Sequence, residues 1–170
     1  MKLNKTYLSL MLLCALSACG SSDDDDDTKD MNKPVINTKD MNKPVINTKD
    51  IVAVPTDCEV YKRGDVIPFN CLFTDDTELG AYNIEIHQNF DHHTHSTSSV
   101  ECPMEAQKQP VKPWVYNQDF TIPSGQKSFT ARHDIAIPSD IDAGDYHFMV
   151  RLTDRAGWQQ IHAVAIKITE

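Results

Sequence analysis

Four of the chain's seven histidines, His87, His92, His93 and His95, fall within nine consecutive residues. Imidazole is the commonest side-chain ligand for zinc, copper and nickel, so this spacing points to chelation of one of those ions. Glu85 and Asp91 stand beside the histidines as carboxylates able to ligate directly or to orient a ligating ring through its second nitrogen. The plain alternative is a solvated polar loop that holds nothing, because a motif by itself is only a hypothesis. No Gly-x-Ser-x-Gly, phosphate-cradling glycine loop or His-Glu-x-x-His is present. Hydrolysis at a metal would also need a placed general base and a substrate cleft, so no catalytic residue is assigned and a non-enzymatic role is expected.

The elements that carry these residues follow from hydrophobic alternation. Residues 80–87 put Tyr82, Ile84 and Ile86 on one face and Asn83, Glu85 and His87 on the other, as a half-buried strand should. The segment from Asp91 to Ser99 is too polar for a core and reads as a loop. His87 therefore sits at the rim of a strand, and His92, His93 and His95 sit on the loop that leaves it. Further strands are predicted over Val66–Phe73, Val111–Ile122, Lys127–Ile137, Asp145–Thr153 and Trp158–Ile168. A lead-in strand at Lys43–Asn47, continued by Ile51–Val54, brings the number to seven. Short connections predict that all are antiparallel, and no segment keeps a helical period. About 120 residues are ample for a single core.

The segment before the domain has a different composition. Lys2 and Lys5 precede an apolar run from Tyr7 to Leu16, and Leu16-Ser17-Ala18-Cys19 places small residues before a cysteine. This resembles a bacterial lipobox, which implies a signal peptide over residues 1–18 and lipidation of Cys19. The apolar run is too short to span a bilayer permanently, so the mature protein is expected to be anchored by its lipid. Five aspartates follow at Asp23–Asp27, a like-charge block that repels itself into an extended tether. Directly behind the cysteine, that block resembles the Ser-Asp-rich export tag of Bacteroidetes surface lipoproteins, which implies the outer face of the outer membrane. A periplasmic spacer is the alternative. Residues 28–37 then recur unchanged as residues 38–47, too few and too polar for a solenoid. Residues 19–43 are expected to be a disordered tether, with the folded domain over residues 44–170.

Ile141-Asp142-Ala143-Gly144-Asp145-Tyr146 resembles the tyrosine corner before the sixth strand of immunoglobulin-like sandwiches. Asp154-Arg155-Ala156-Gly157 resembles the Asp-x-Ala-Gly hairpin of bacterial Ig-like and fibronectin-like domains, with Gly157 supplying a positive φ. The expected fold is an all-β, Ig-like or fibronectin-III-like Greek-key sandwich. The antibody-type cysteine pair and core tryptophan are missing, so the likeness is one of architecture. Asn89 to Ser96, Gly144 to Phe148 and Leu152 to Trp158 together resemble an uncharacterised family of Bacteroidetes surface lipoproteins. Its members carry one Ig-like domain of unknown function behind a lipobox, and the likeness runs from about Lys43 to Glu170. It implies an anchor and a fold without an activity.

In such a sandwich the third and sixth strands are antiparallel neighbours, which brings His87 alongside His147 on the outer face. His93 and His95, two residues apart in an extended segment, share a side. The predicted ligands are His87, His147, His93 and His95 for Zn²⁺, Cu²⁺ or Ni²⁺, with His92 as the substitute and Asp91 or Glu85 supporting. His133 and His162 read as ordinary half-buried histidines.

Three cysteines remain after Cys14 leaves with the signal and Cys19 takes lipid: Cys58, Cys71 and Cys102. One bridge could form in three ways. Cys71 lies on the apolar face of its strand, whereas Cys58 and Cys102 lie in polar connections, which favours Cys58 with Cys102. A soft-metal role for Cys102 is the alternative. Loss of Lys2 and Lys5 leaves 14 basic against 25 acidic residues, a net charge of −11. That excess argues against nucleic acid and anionic membrane surfaces as partners and suits cations, calcium included. Asp75-Asp76 and Asp140-x-Asp142 are candidate calcium loops that more often serve as turn and cap residues. The leading expectation is a surface-anchored metal-binding module for metal uptake or buffering, beside an outer-membrane transporter. The alternative is a metal-independent adhesion or transporter-accessory module whose histidine loop contacts a protein or glycan.

Overall fold

The structure, a computed structural model, describes residues 40–48 and 55–170. The expected signal peptide, Cys19, the tether up to residue 39 and the predicted strand over Ile51–Val54 lie outside the described residues. Within them the protein is all-β, with eight strands: β1 (Val45–Asn47), β2 (Glu59–Lys62), β3 (Val66–Thr74), β4 (Leu79–Gln88), β5 (Tyr116–Thr121), β6 (Ser128–Ala136), β7 (Gly144–Asp154) and β8 (Gln159–Thr169). One sheet has the order β1-β3-β6 and the other β2-β8-β7-β4-β5. This is the Greek-key order of an immunoglobulin-like sandwich, with β3 and β6 as its B and E strands and β4, β7 and β8 as its C, F and G strands.

Alternation put the right side chains inside. Ile67, Phe69, Cys71 and Phe73 of β3 meet Tyr82, Ile84 and Ile86 of β4, Tyr146, Phe148, Val150 and Leu152 of β7, and Val164, Ile166 and Ile168 of β8 in one core. Burying each of the larger aliphatic and aromatic groups is worth about 1.5–3 kcal/mol. The described body extends upstream to Asp40, which is buried and whose carbonyl accepts a hydrogen bond from Trp158 Nε1 at 3.1 Å.

Three expectations need correction. Among the described residues there are eight strands where about seven are expected, because β2 adds a short edge of which only Tyr61 is buried, too little pattern to detect. Nor are all pairings antiparallel, since β2 runs parallel to β8. The chain crosses from the β1 sheet to the far edge of the other sheet between β1 and β2, and a short connection fixes strand direction only when both strands share a sheet. The strand predicted over Val111–Ile122 begins only at Tyr116, and Val111 is 89% exposed. Trp114 is buried because it packs over Tyr146, with ring centroids 6.4 Å apart, and not because it belongs to a strand.

The tyrosine corner is present. Tyr146 donates its hydroxyl proton to the Asp142 carbonyl at 2.7 Å and accepts from the Trp114 amide at 3.3 Å. Tyr146→Phe would leave that carbonyl and amide without partners at a buried point, and each orphan costs about 1–3 kcal/mol. The expected result is a loss of stability of that order in urea denaturation with an unchanged slope.

Candidate metal centre

The connection from Gln88 to Tyr116 is far longer than the roughly 15 residues beyond which unstructured loops are uncommon and usually functional. It folds back over the outer face of the five-stranded sheet and is tied there along its length. Asn89 N donates to Asp145 O at 2.8 Å, and Glu105 N donates to Asp145 Oδ2 at 2.7 Å. Thr97 N donates to Ala163 O at 3.2 Å, and its hydroxyl accepts from Ala163 N at 2.9 Å. The Cys58–Cys102 disulfide pins its middle, in keeping with the polar setting of both residues, and Cys71 is the buried free cysteine among the described residues. Phe90 is buried edge-on against Tyr146, with ring centroids 5.4 Å apart. Gly144 makes room for it. Its φ is +135°, and a Cβ there would lie 2.8 Å from Phe90 Cε1.

This path delivers the loop histidines to the strand histidines. His87 and His147 are direct cross-strand partners in the β4–β7 ladder, with rings 5.5 Å apart. His93 and His95 come down upon them, with ring centroids 5.3 and 5.2 Å from His87 and 5.2 and 5.4 Å from His147. One nitrogen each of His87, His93 and His95 lies within 4.8 Å of the other two. The closest approach is His87 Nε2 to His93 Nε2, at 3.2 Å.

That contact is informative because of what stands behind each ring. His93 Nδ1 donates to Asp91 Oδ1 at 2.5 Å, which places the proton on Nδ1 and leaves a lone pair on Nε2. His87 Nδ1 lies 3.2 Å from Glu85 Oε1, within ion-pair distance though without hydrogen-bond geometry. With its proton on Nε2, His87 donates an ordinary hydrogen bond to His93 Nε2; with the proton on Nδ1, the two Nε2 atoms face each other as acceptors, and a shared cation satisfies both. Two tetrahedral ligands at about 2.0–2.1 Å from zinc stand about 3.3–3.4 Å apart, close to the observed spacing. A carboxylate on the outer nitrogen of a ligating histidine is the usual arrangement at such centres.

The other two predicted ligands behave differently. His147 is only 3% exposed, lying beneath the loop, and its Nε2 donates to the His93 carbonyl at 3.0 Å. It holds the loop in place, while its buried Nδ1 has no hydrogen-bond partner among the described residues. His92 does not join the group. It closes the turn from Asn89 with φ 60°, and its Nε2 donates to Glu105 O at 2.9 Å. His133, stacked on Phe120 and 2.5 Å from the Tyr82 hydroxyl, and His162 are half-buried on other strands, as expected. Sequence reasoning missed Asp145 and Thr97, which fix the loop. As single polar residues in a strand and a loop they carry no distinguishing signal.

Burial lowers the basicity of His87, with His95 and His93 adding to the effect and Glu85 opposing it. Burial likewise lowers His147, against the hydrogen bond to His93. Neutral imidazoles are what a metal requires. For the metal-free chain the sign is definite. An imidazole harder to protonate when folded than when unfolded costs nothing above its ordinary value of 6.5 and destabilises as pH falls below it. The urea midpoint of the stripped protein is therefore expected to fall between pH 7 and pH 5, and less so with His87 and His147 replaced.

Beside the cluster, between loop and sheet, is a cavity of about 530 Å³ whose lining includes His93, His147, Val60, Met104, Cys102 and Lys167. A family model described as a domain of unknown function (DUF4625) matches residues 18–169. No curated protein matches the chain.

Proposed function

From the premise that the chain belongs to the DUF4625 family of domains of unknown function, we propose that it is a lipid-anchored cell-surface module that binds Zn²⁺, Cu²⁺ or Ni²⁺ on His87, His93 and His95. The observation that carries this reading is the convergence of three imidazoles, one nitrogen of each within 4.8 Å of the other two, with a carboxylate beside the outer nitrogen of two of the rings. Three imidazoles leave a fourth position for water or for a donor from another molecule. Two of the three ligands ride on a loop and one on a strand, which suits exchange of the ion over permanent burial. Metal uptake or buffering at an outer-membrane transporter fits that arrangement. The anchor rests on Leu16-Ser17-Ala18-Cys19, and the exterior location and Bacteroidetes origin rest on the aspartate block behind it and on the motif likeness.

Calorimetric titration of the untagged, chelator-stripped chain tests the proposal. One ion per chain is expected at neutral pH, with affinity falling as the pH drops toward 5 because protons compete for the same nitrogens. No heat with zinc, copper or nickel rejects it. One observation favours a second reading, a metal-independent docking module. Val60, Val100 and Met104, each more than half exposed, line the cavity beside the cluster. A partner held there would bind equally well in chelator, whereas a metal-bridged partner would not.

A further inference from the structure

The other end of the sandwich carries a second constellation. Asp154 ends β7, seven residues along the strand from His147, or about 23 Å at ~3.3 Å per residue. Beside it stand Asp75, just beyond β3, and Asp40, just before β1. One carboxylate oxygen from each lies within 4.8 Å of the other two.

Acidic residues gather often at turns, and each of these has a turn role. Asp40 Oδ1 accepts from Asn42 N, Asp75 Oδ1 from Thr77 N and Glu78 N, and Asp154 Oδ1 from Trp158 N. The second oxygens are different. Asp40 Oδ2, Asp75 Oδ2 and Asp154 Oδ2 are all buried and have no hydrogen-bond partner among the described residues. Asp40 and Asp154 are each only 4% exposed. None of the three makes an ion pair with a described Lys, Arg or His. The nearby Lys127 is held by the Asp76 carbonyl instead. Burial pushes the Asp154 carboxyl up, and Asp75 and Asp40 push it further. A buried carboxylate oxygen left without a partner is costly, and here three lie together.

We propose that Asp40, Asp75 and Asp154 form a binding site for a hard divalent cation of the calcium type, distinct from the histidine centre. The donor set is all oxygen, which excludes the preferences of zinc and copper. Calcium–oxygen distances of about 2.3–2.6 Å let ligands on opposite sides of one ion stand up to about 5 Å apart, and the observed spacing fits inside that sphere. Magnesium keeps several waters, and the buried oxygens favour the ion that sheds them more readily. The ligands come from the end of a β3-sheet strand, the end of a strand in the opposite sheet, and the segment leading into β1. A bound ion would thus fasten the two sheets to each other and to the lead-in.

Terbium gives a local readout, because it takes calcium's oxygen ligands and emits when a nearby indole is excited. Trp158 is that indole, with Nε1 bonded to Asp40 O and its amide to Asp154 Oδ1. The full chain stripped with chelator is expected to show indole-sensitised terbium emission that calcium displaces, and a melting temperature that rises saturably with calcium. Asp154→Asn and Asp75→Asn should each reduce the emission at least tenfold, while His93→Ala leaves it unchanged. Asp40 is a poorer choice of variant, since Asp30 occupies the same place in the upstream copy of the repeat. Absence of emission from the native chain, indifference of that emission to calcium, or its persistence in Asp154→Asn would overturn the proposal. Should that variant not fold, calcium-displaceable emission and the melting shift of the native chain decide the matter alone.

Discussion

With alanine at both His87 and His93, zinc affinity measured by competition with a chromophoric chelator is expected to fall well beyond 100-fold. The comparison is with the roughly 10–100-fold that losing an outer carboxylate partner costs a metal site, which is the effect expected of Asp91→Asn alone. The double variant removes the two nitrogens that stand 3.2 Å apart, leaving His95, which is exposed and by itself a weak ligand. The fold should tolerate it, since His93 belongs to the loop and the His87 side chain keeps only 17% exposure on the outer side of β4 without entering the core. His92→Ala is the internal control. Its ring bonds Glu105 O and offers nothing to the cluster, so affinity should not change. His147→Ala separates ligation from positioning. If its ring acts by holding the His93 carbonyl, His147→Gln, which retains a donor near that point, should restore most of what alanine loses. Unaltered zinc affinity in the His87/His93 variant would sink the metal reading and leave the docking module in its place.

How much of this was legible in the sequence depended on what each residue buries against. β7 could be read because Tyr146, Phe148, Val150 and Leu152 all face one core, so period two is enforced at every step. The same alternation turned His147 outward and paired it with His87, because the neighbouring strands of an Ig-like sheet fix the register. Alternation speaks only of faces, however: it places His147 on the outer face without saying how deeply the loop covers it, and the ring is 3% exposed. The loop's path depends on Asp145, Thr97, Phe90 and a disulfide, contacts between residues far apart in the chain that leave no local periodicity. The choice between His92 and His93 was similarly hidden. His92 takes a left-handed backbone at the turn and bonds Glu105 O, while His93 reaches His87. The aspartate triad is half visible: Asp75-Asp76 reads as a candidate calcium loop or, more commonly, a turn, but nothing in the sequence places it near residues 40 and 154.

Reduction of the Cys58–Cys102 bridge is expected to have the largest effect on stability. The bridged residues are 44 apart, and the chain-entropy treatment of a loop that size gives about 4 kcal/mol lost on opening it. A clean experiment is available because the third cysteine is a poor participant. Burial pushes the Cys71 thiol up to about 11, so in the folded chain at neutral pH it is protonated and a feeble nucleophile for exchange. Unfolding removes that burial, so urea midpoints with and without a mild reductant are compared on a Cys71→Ala background, one bridge against none. The bridge also fastens the loop that carries His93 and His95 to the start of β2, at the edge strand paired with β8. Its opening widens the range of positions available to two of the three proposed ligands and raises the entropy that binding must remove. Zinc affinity should fall on reduction even where the sandwich stays folded, and Cys58→Ser/Cys102→Ser should reproduce the loss without any reductant. A reduced protein with an unmoved urea midpoint would show that the hydrogen bonds of Asp145 and Thr97 suffice to hold the loop. Stable folding with weakened zinc binding would instead identify the disulfide as the element that preorganises the metal centre.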